Sequence, residues 1–160
     1  MKTLIVLGLL SIFISSCNQS TSPSDKILTA TFALTDTDGQ AISQFHSREE
    51  FRLAFSLTNT TNDTLTFYRG NSGPSVIFEI MKDDSIVASS TDGYAFAMVV
   101  LGGFVAPGQS LQGVWQAPTT PAQNPKVILN PGSYEVKVLF PNFEQAKVNP
   151  VSAIKFDVVE

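Results

Sequence analysis

Cys17 and His46 are the only cysteine and the only histidine in the chain, so chemistry that needs two thiols or two imidazoles is closed to it. A lone cysteine makes no internal disulfide, and a lone histidine cannot build a multi-histidine metal site. His46 follows Phe45 near an expected strand end, where an exposed histidine is expected in place of a catalytic base. Asn71-Ser72-Gly73-Pro74 lacks the Gly-x-Ser-x-Gly spacing of a nucleophile elbow, and no histidine stands where a triad needs one. Asp36-Thr37-Asp38-Gly39 opens like a calcium loop, but the third acidic ligand and the distant glutamate are missing. It reads as a hairpin turn, as does Asp83-Asp84. Nothing in this inventory assembles a catalytic site, a metal site or a cofactor site, and the chain is not expected to be an enzyme.

Cys17 therefore needs another chemistry, and its neighbours supply one. Lys2 precedes an apolar run from Leu4 to Ile14, followed by Ser15-Ser16-Cys17. About 11 residues of helix span roughly 16 Å, against the roughly 30 Å of a bilayer core. The run has the length of a signal-peptide core, not of a transmembrane helix. Ile14-Ser15-Ser16-Cys17 resembles the lipobox of bacterial lipoproteins, in which the cysteine receives a diacylglyceryl thioether and becomes the first mature residue. The resemblance implies that residues 1–16 are removed and that Cys17 is lipidated, with palmitate among its acyl chains. A secreted form cleaved after Cys17 is the alternative, because Ser15 and Cys17 are both small. Asn18 to Asp25 (NQSTSPSD) has no aliphatic or aromatic side chain and is expected to serve, with Cys17, as a flexible tether over 17–25. Asn18 is not the aspartate that retains enteric lipoproteins at the inner membrane. Placement in the cell envelope, at the outer membrane where there is one, follows as an expectation.

Cleavage before Cys17 removes one lysine, so 10 − 1 = 9 basic side chains face 14 acidic ones and the mature charge is 9 − 14 = −5. An acidic chain without a basic cluster has no electrostatic basis for binding a nucleic-acid backbone. The remaining 160 − 16 = 144 residues suit one domain over 26–160. At that size a chain buries about two-thirds of its unfolded surface and needs no disulfide.

The elements alternate with period two. Phe51, Leu53, Phe55 and Leu57 stand between Arg52, Ala54, Ser56 and Thr58, a strand with one buried face. Leu65 and Phe67, Val76 to Ile80, Tyr134 to Phe140 and Ile154 to Val158 repeat the pattern, and an opening strand is expected near Leu28–Leu34. Pro107-Gly108 and Pro131-Gly132 place proline and glycine as a type II turn requires. No sustained helical period occurs after the signal segment. The fold class expected is all-β, an immunoglobulin-like antiparallel sandwich of about seven to nine strands. Tyr134, opening a strong strand after a turn, stands where such sandwiches carry a tyrosine corner, or is an ordinary strand tyrosine.

Taken in order, Asn59-Thr60-Thr61-Asn62-Asp63, Leu65-Thr66-Phe67, Ser72-Gly73, Tyr94 and Phe96, Val105-Ala106-Pro107-Gly108, Trp115 and Asn130-Pro131-Gly132-Ser133-Tyr134 resemble the BsuPI family over about residues 48–140. That family is named for an intracellular proteinase inhibitor and is built as an immunoglobulin-like sandwich. The resemblance implies the fold and, through it, proteinase inhibition, although Asn59, Pro107, Gly108, Pro131, Gly132 and Tyr134 shape turns and are not reactive-site residues.

Two stretches could carry recognition. Gln116–Pro125 has three prolines in ten residues, which pre-order an extended backbone and lower the entropy lost on binding. Within it Ala117, Pro118, Thr119, Thr120, Pro121 and Ala122 form the candidate binding loop for a serine proteinase, or a stiff connection. Tyr94–Phe104 (YAFAMVVLGGF) reads as a core strand pair or, if exposed, as a partner-binding patch. The function expected is a lipid-anchored, non-catalytic, protein-binding module, with proteinase inhibition as its narrower form. An envelope assembly lipoprotein that binds its partner by strand edges is the alternative, and a carbohydrate module on Trp115 and the tyrosines is the weakest.

Overall fold

A computed structural model describes residues 27–117, 127–143, 146–148 and 151–160. Among these the chain is all-β and contains no helix long and apolar enough to cross a membrane. The strands are β1 (Ile27–Thr35), β2 (Gln44–His46), β3 (Phe51–Thr58), β4 (Leu65–Asn71), β5 (Ile77–Lys82), β6 (Ser85–Ser89), β7 (Met98–Val105), β8 (Ser110–Ala117), β9 (Gly132–Leu139), β10 (Lys147–Val148) and β11 (Ile154–Val159). Seven to nine were expected. The excess is β2 and β10, short pieces that add in parallel to the edges at β11 and β1 and that are too brief to leave a period in the sequence.

Three sheets result, with strand orders β10-β1-β3-β8, β2-β11-β9-β5-β6 and β4-β7. The period-two pattern sets their faces. In β3, Phe51, Leu53, Phe55 and Leu57 are buried while the residues between them are half-buried or exposed. The four- and five-stranded sheets meet through aromatic rings. Phe32 of β1 stacks on Phe78 of β5 with centroids 6.0 Å apart. Phe45 of β2 stacks between Phe51 of β3 at 4.5 Å and Phe156 of β11 at 5.1 Å. Phe55 stacks at 5.1 Å on Phe140, just past β9. These rings supply much of the apolar burial that holds the sheets together.

The turns use the residues their dihedral angles demand. Gly108 has φ +72° and Gln109 N–H donates to the Ala106 carbonyl at 3.0 Å, closing a turn with proline second and glycine third. Gly132, at φ +149°, is far from the roughly +80° of a type II turn and opens β9 instead, so the expected type II turn at Pro131-Gly132 is not formed. Asp83 and Asp84, at φ 50° and 60°, join β5 to β6 in the mirror-image turn that suits a two-residue hairpin. The Asp36 carboxylate accepts from the N–H groups of Asp38 at 3.0 Å and Gln40 at 2.8 Å, so its Oδ1 serves the turn. The Tyr134 hydroxyl donates to the Asn130 carbonyl at 2.7 Å, four residues upstream, which is the bond that defines a tyrosine corner.

Candidate functional site

On the two-stranded β4–β7 ribbon, as also at Ile86, Val87 and Val114, large apolar side chains face outward against the rule of apolar inside, polar outside. The ribbon's register pairs Leu65 with Val105, Thr66 with Phe104, Phe67 with Gly103 and Tyr68 with Gly102, shifting at a bulge between Arg69 and Asn71. Alternation sends Leu65, Phe67 and Val105 into the core. Phe67 meets the ring of Phe143 edge-on at 5.4 Å. Gly103 makes room for that inward ring, because a Cβ there would lie 2.4 Å from Phe67. On the outer face the Tyr68 ring lies over Gly102, 3.5 Å from where its Cβ would stand.

That outer face is apolar. On it Val100 is 76 % exposed, Phe104 71 % and Tyr68 65 %, while Met98, 89 % exposed, pairs with Asn71 beyond the bulge. The C-terminal part of the Tyr94–Phe104 stretch is thus a single strand, β7, paired with β4, and not a core strand pair of its own. One side of the pair faces outward, which the reading as core did not anticipate. The segment before β7 is held in place. Ala97 N–H donates to Ser72 Oγ at 3.0 Å, and Ser72 N–H donates to the Ala97 carbonyl at 2.9 Å. Tyr94 and Phe96 stack at 6.0 Å beside this link. Tyr68 is the member of the face that the sequence reading missed. Its signal was an aromatic one step out of phase with Leu65 and Phe67.

β7 has one strand partner among the described residues, β4, so its other edge offers backbone N–H and C=O groups to a further strand. Beside Tyr68 lies a shallow hollow of about 210 Å³ lined by Arg69, Pro74, Phe140 and Pro141. The Arg69 guanidinium donates to the Gly73 carbonyl there, and its buried Nε has no partner among the described residues. A second hollow, of about 260 Å³, carries charges of both signs, among them Lys82, Asp84, Lys137 and Lys155. Lys82 Nζ sits 5.1 Å above the Tyr134 ring.

Of the residues singled out in the sequence, Ala117 is the last residue of β8, fully buried and paired with Phe51. Pro118, Thr119, Thr120, Pro121 and Ala122 lie outside the described residues, as does Cys17. His46 ends β2 on the surface, its Nδ1 2.5 Å from the main-chain oxygen of Glu160. Trp115 is buried against the core, so it does not stand on the surface as a carbohydrate platform would need. Among the described residues no three His, Cys, Asp or Glu side chains gather as a metal site would need.

No family model matches the chain, and no curated protein does. Two larger proteins are among those whose solved structures match. A β-glucosidase from Erythrobacter marinus matches with a TM-score of 0.40 and 10 % identity over 82 % of this chain and 16 % of its own. The alkylpurine DNA glycosylase AlkC from Pseudomonas fluorescens, bound to DNA containing an abasic-site analogue, matches with a TM-score of 0.40 and 13 % identity over 82 % of this chain and 30 % of its own. This chain therefore spans less than a third of either protein.

Proposed function

We propose that the chain is a lipid-anchored lipoprotein of the bacterial envelope whose immunoglobulin-like sandwich binds another protein without catalysis, and that β7 is where the partner docks. The observation that carries this is β7 itself: an apolar strand, MVVLGGFV, bonded to a neighbour on one side and free on the other among the described residues. An extended segment adding to such an edge gains main-chain hydrogen bonds, and pockets for alternate side chains set its specificity. The immunoglobulin-like assignment is supported by the tyrosine-corner bond of Tyr134 and by the aromatic contact between the two larger sheets. Anchorage through Cys17 rests on the lipobox resemblance of Ile14 to Cys17.

Strand-edge docking is the form of the reading favoured here. Val99, 40 % exposed on β7, is the position at which to test it. A lysine on an edge strand blocks further pairing because its charge would be buried by the added strand. Captured envelope proteins, identified by mass spectrometry with wild type and with Val99→Lys as bait, should include one that the variant loses. Identical captures with both baits, at unchanged melting midpoint, would remove β7 as the docking edge. Inhibition of a serine proteinase through residues 117–122 is the narrower form, resting on the BsuPI resemblance. Titrating a proteinase panel with the domain tests it, and no inhibition at micromolar excess ends it.

A further inference from the structure

The outer face of the β4–β7 ribbon has a composition that a protein partner does not explain well. Its side chains are Thr66, Tyr68, Val100 and Phe104, with Gly102 beneath the Tyr68 ring, and none is charged. The exposed area of the three large side chains is on the order of 400 Å². A stable protein interface needs about 800 Å² from each partner and roughly one hydrogen bond per 100–200 Å². This face is too small for a self-standing dimer, and it offers two hydroxyls. An aromatic and aliphatic surface without charge is instead what enters the headgroup boundary of a bilayer at no cost in charge desolvation, with tyrosine at the wet edge.

The position of the face agrees. Thr29 of β1 pairs with Thr58, and Thr58 pairs with Ser110 at the start of β8. Asn59 then bonds to the Val105 carbonyl at 2.9 Å, which places the Phe104 end of the ribbon beside the end at which β1 begins. The chain thus leaves the described domain toward Cys17 close to Phe104. Nine residues, 18–26, separate Cys17 from Ile27. A chain of that length reaches at most about 35 Å, longer than the roughly 20 Å between the Phe104 and Met98 ends of the ribbon.

We infer that the outer face of the β4–β7 ribbon seats on the lipid surface to which Cys17 is attached, so that the domain lies on the membrane in one orientation. The inference rests on the anchored reading above and names a second occupant for the same ribbon: lipid takes its face, while the β7 edge stays open sideways for a protein strand. Apolar area too small to hold a free protein suffices once the anchor keeps the domain at the surface, because the second contact is then intramolecular in effect.

The test uses the chain from Cys17 to Glu160, which contains every described residue and one thiol. Coupling that thiol to a maleimide phospholipid in vesicles of phosphatidylethanolamine and phosphatidylglycerol supplies the anchor whether or not a cell acylates Cys17. Tryptophan reporters are placed by Phe104→Trp on the face and by Ile86→Trp on β6, whose side chain is 56 % exposed. Trp115 is buried and gives the same background in both. With brominated lipid in the vesicles, the Phe104→Trp emission should be quenched at least about twofold more strongly than that of Ile86→Trp, as insertion to the acyl boundary requires. Equal quenching at the two positions overturns the inference. So does a dimer of the uncoupled chain that Val100→Ser with Phe104→Ser disperses, since a second copy is then the occupant. Unequal quenching together with an unacylated Cys17 in cells would keep the seating and remove the anchored reading, so the two can fail separately.

Discussion

Asn59 shows at the scale of one residue how a polar side chain is kept in a core. It is fully buried, and its Nδ2 donates to the carbonyls of Asp63 at 2.7 Å and Val105 at 2.9 Å. Its Oδ1 accepts from the Thr61 N–H at 3.0 Å and the Thr61 hydroxyl at 2.7 Å. Its own backbone accepts from Gly108 N–H at 2.8 Å and donates to the Gln109 carbonyl at 2.9 Å. Side chain and backbone of this one residue thus tie the end of β3, the start of β4, the end of β7 and the turn before β8. Asn59→Ala should destabilise the domain by roughly 2–3 kcal/mol, because it strips the buried Val105 carbonyl of its donor and the turn of its ties to Asp63 and Thr61. Asn59→Asp should cost at least as much, since a carboxylate would face the Val105 carbonyl where an amide donated. Urea midpoints would check both, and an unchanged midpoint for Asn59→Ala would refute the role. The sequence marks Asn59 as a turn residue. Its burial was not legible, because its partners Val105 and Gln109 lie far along the chain and only the folded register brings them near.

At the scale of elements, strands with one buried face were legible and strands with another environment were not. Phe51–Leu57 and Tyr134–Phe140 alternate cleanly and fall in β3 and at β9. β8 escapes because Gly113 leaves an inward position without a side chain and Val114 puts an apolar one outward, and because Gln116 and Ala117 also open a proline-rich stretch. β7 carries a continuous apolar run, which in a sequence looks like a strand buried on both faces. Only the pairing with β4 shows that one face is outward. The two glycines of β7 separate the faces experimentally. Gly103→Ala places a methyl against the inward Phe67 ring and should cost about 1–3 kcal/mol as overpacking. Gly102→Ala meets the Tyr68 ring at an ordinary 3.5 Å and should cost much less. Equal losses in the unfolding free energy would mean that the ribbon's inward and outward faces are wrongly assigned.

At the scale of the whole molecule, the acidic domain, its uncharged ribbon face and the short link to Cys17 act as one device only if the thiol carries lipid. Local chemistry points to acylation: an aliphatic residue stands three places before the cysteine, two serines lie between, and the apolar run is too short to span a bilayer. Each buried methylene contributes roughly 0.8 kcal/mol, so one acyl chain binds reversibly while two or more hold the protein on the membrane. The ribbon face would then set orientation and not attachment. Cells grown with labelled palmitate should incorporate it into wild type and not into Cys17→Ser, and the variant should leave the membrane fraction for the soluble one. Equal labelling of the two, or none in either, would show that the cysteine has another use and that the domain reaches its partner unanchored.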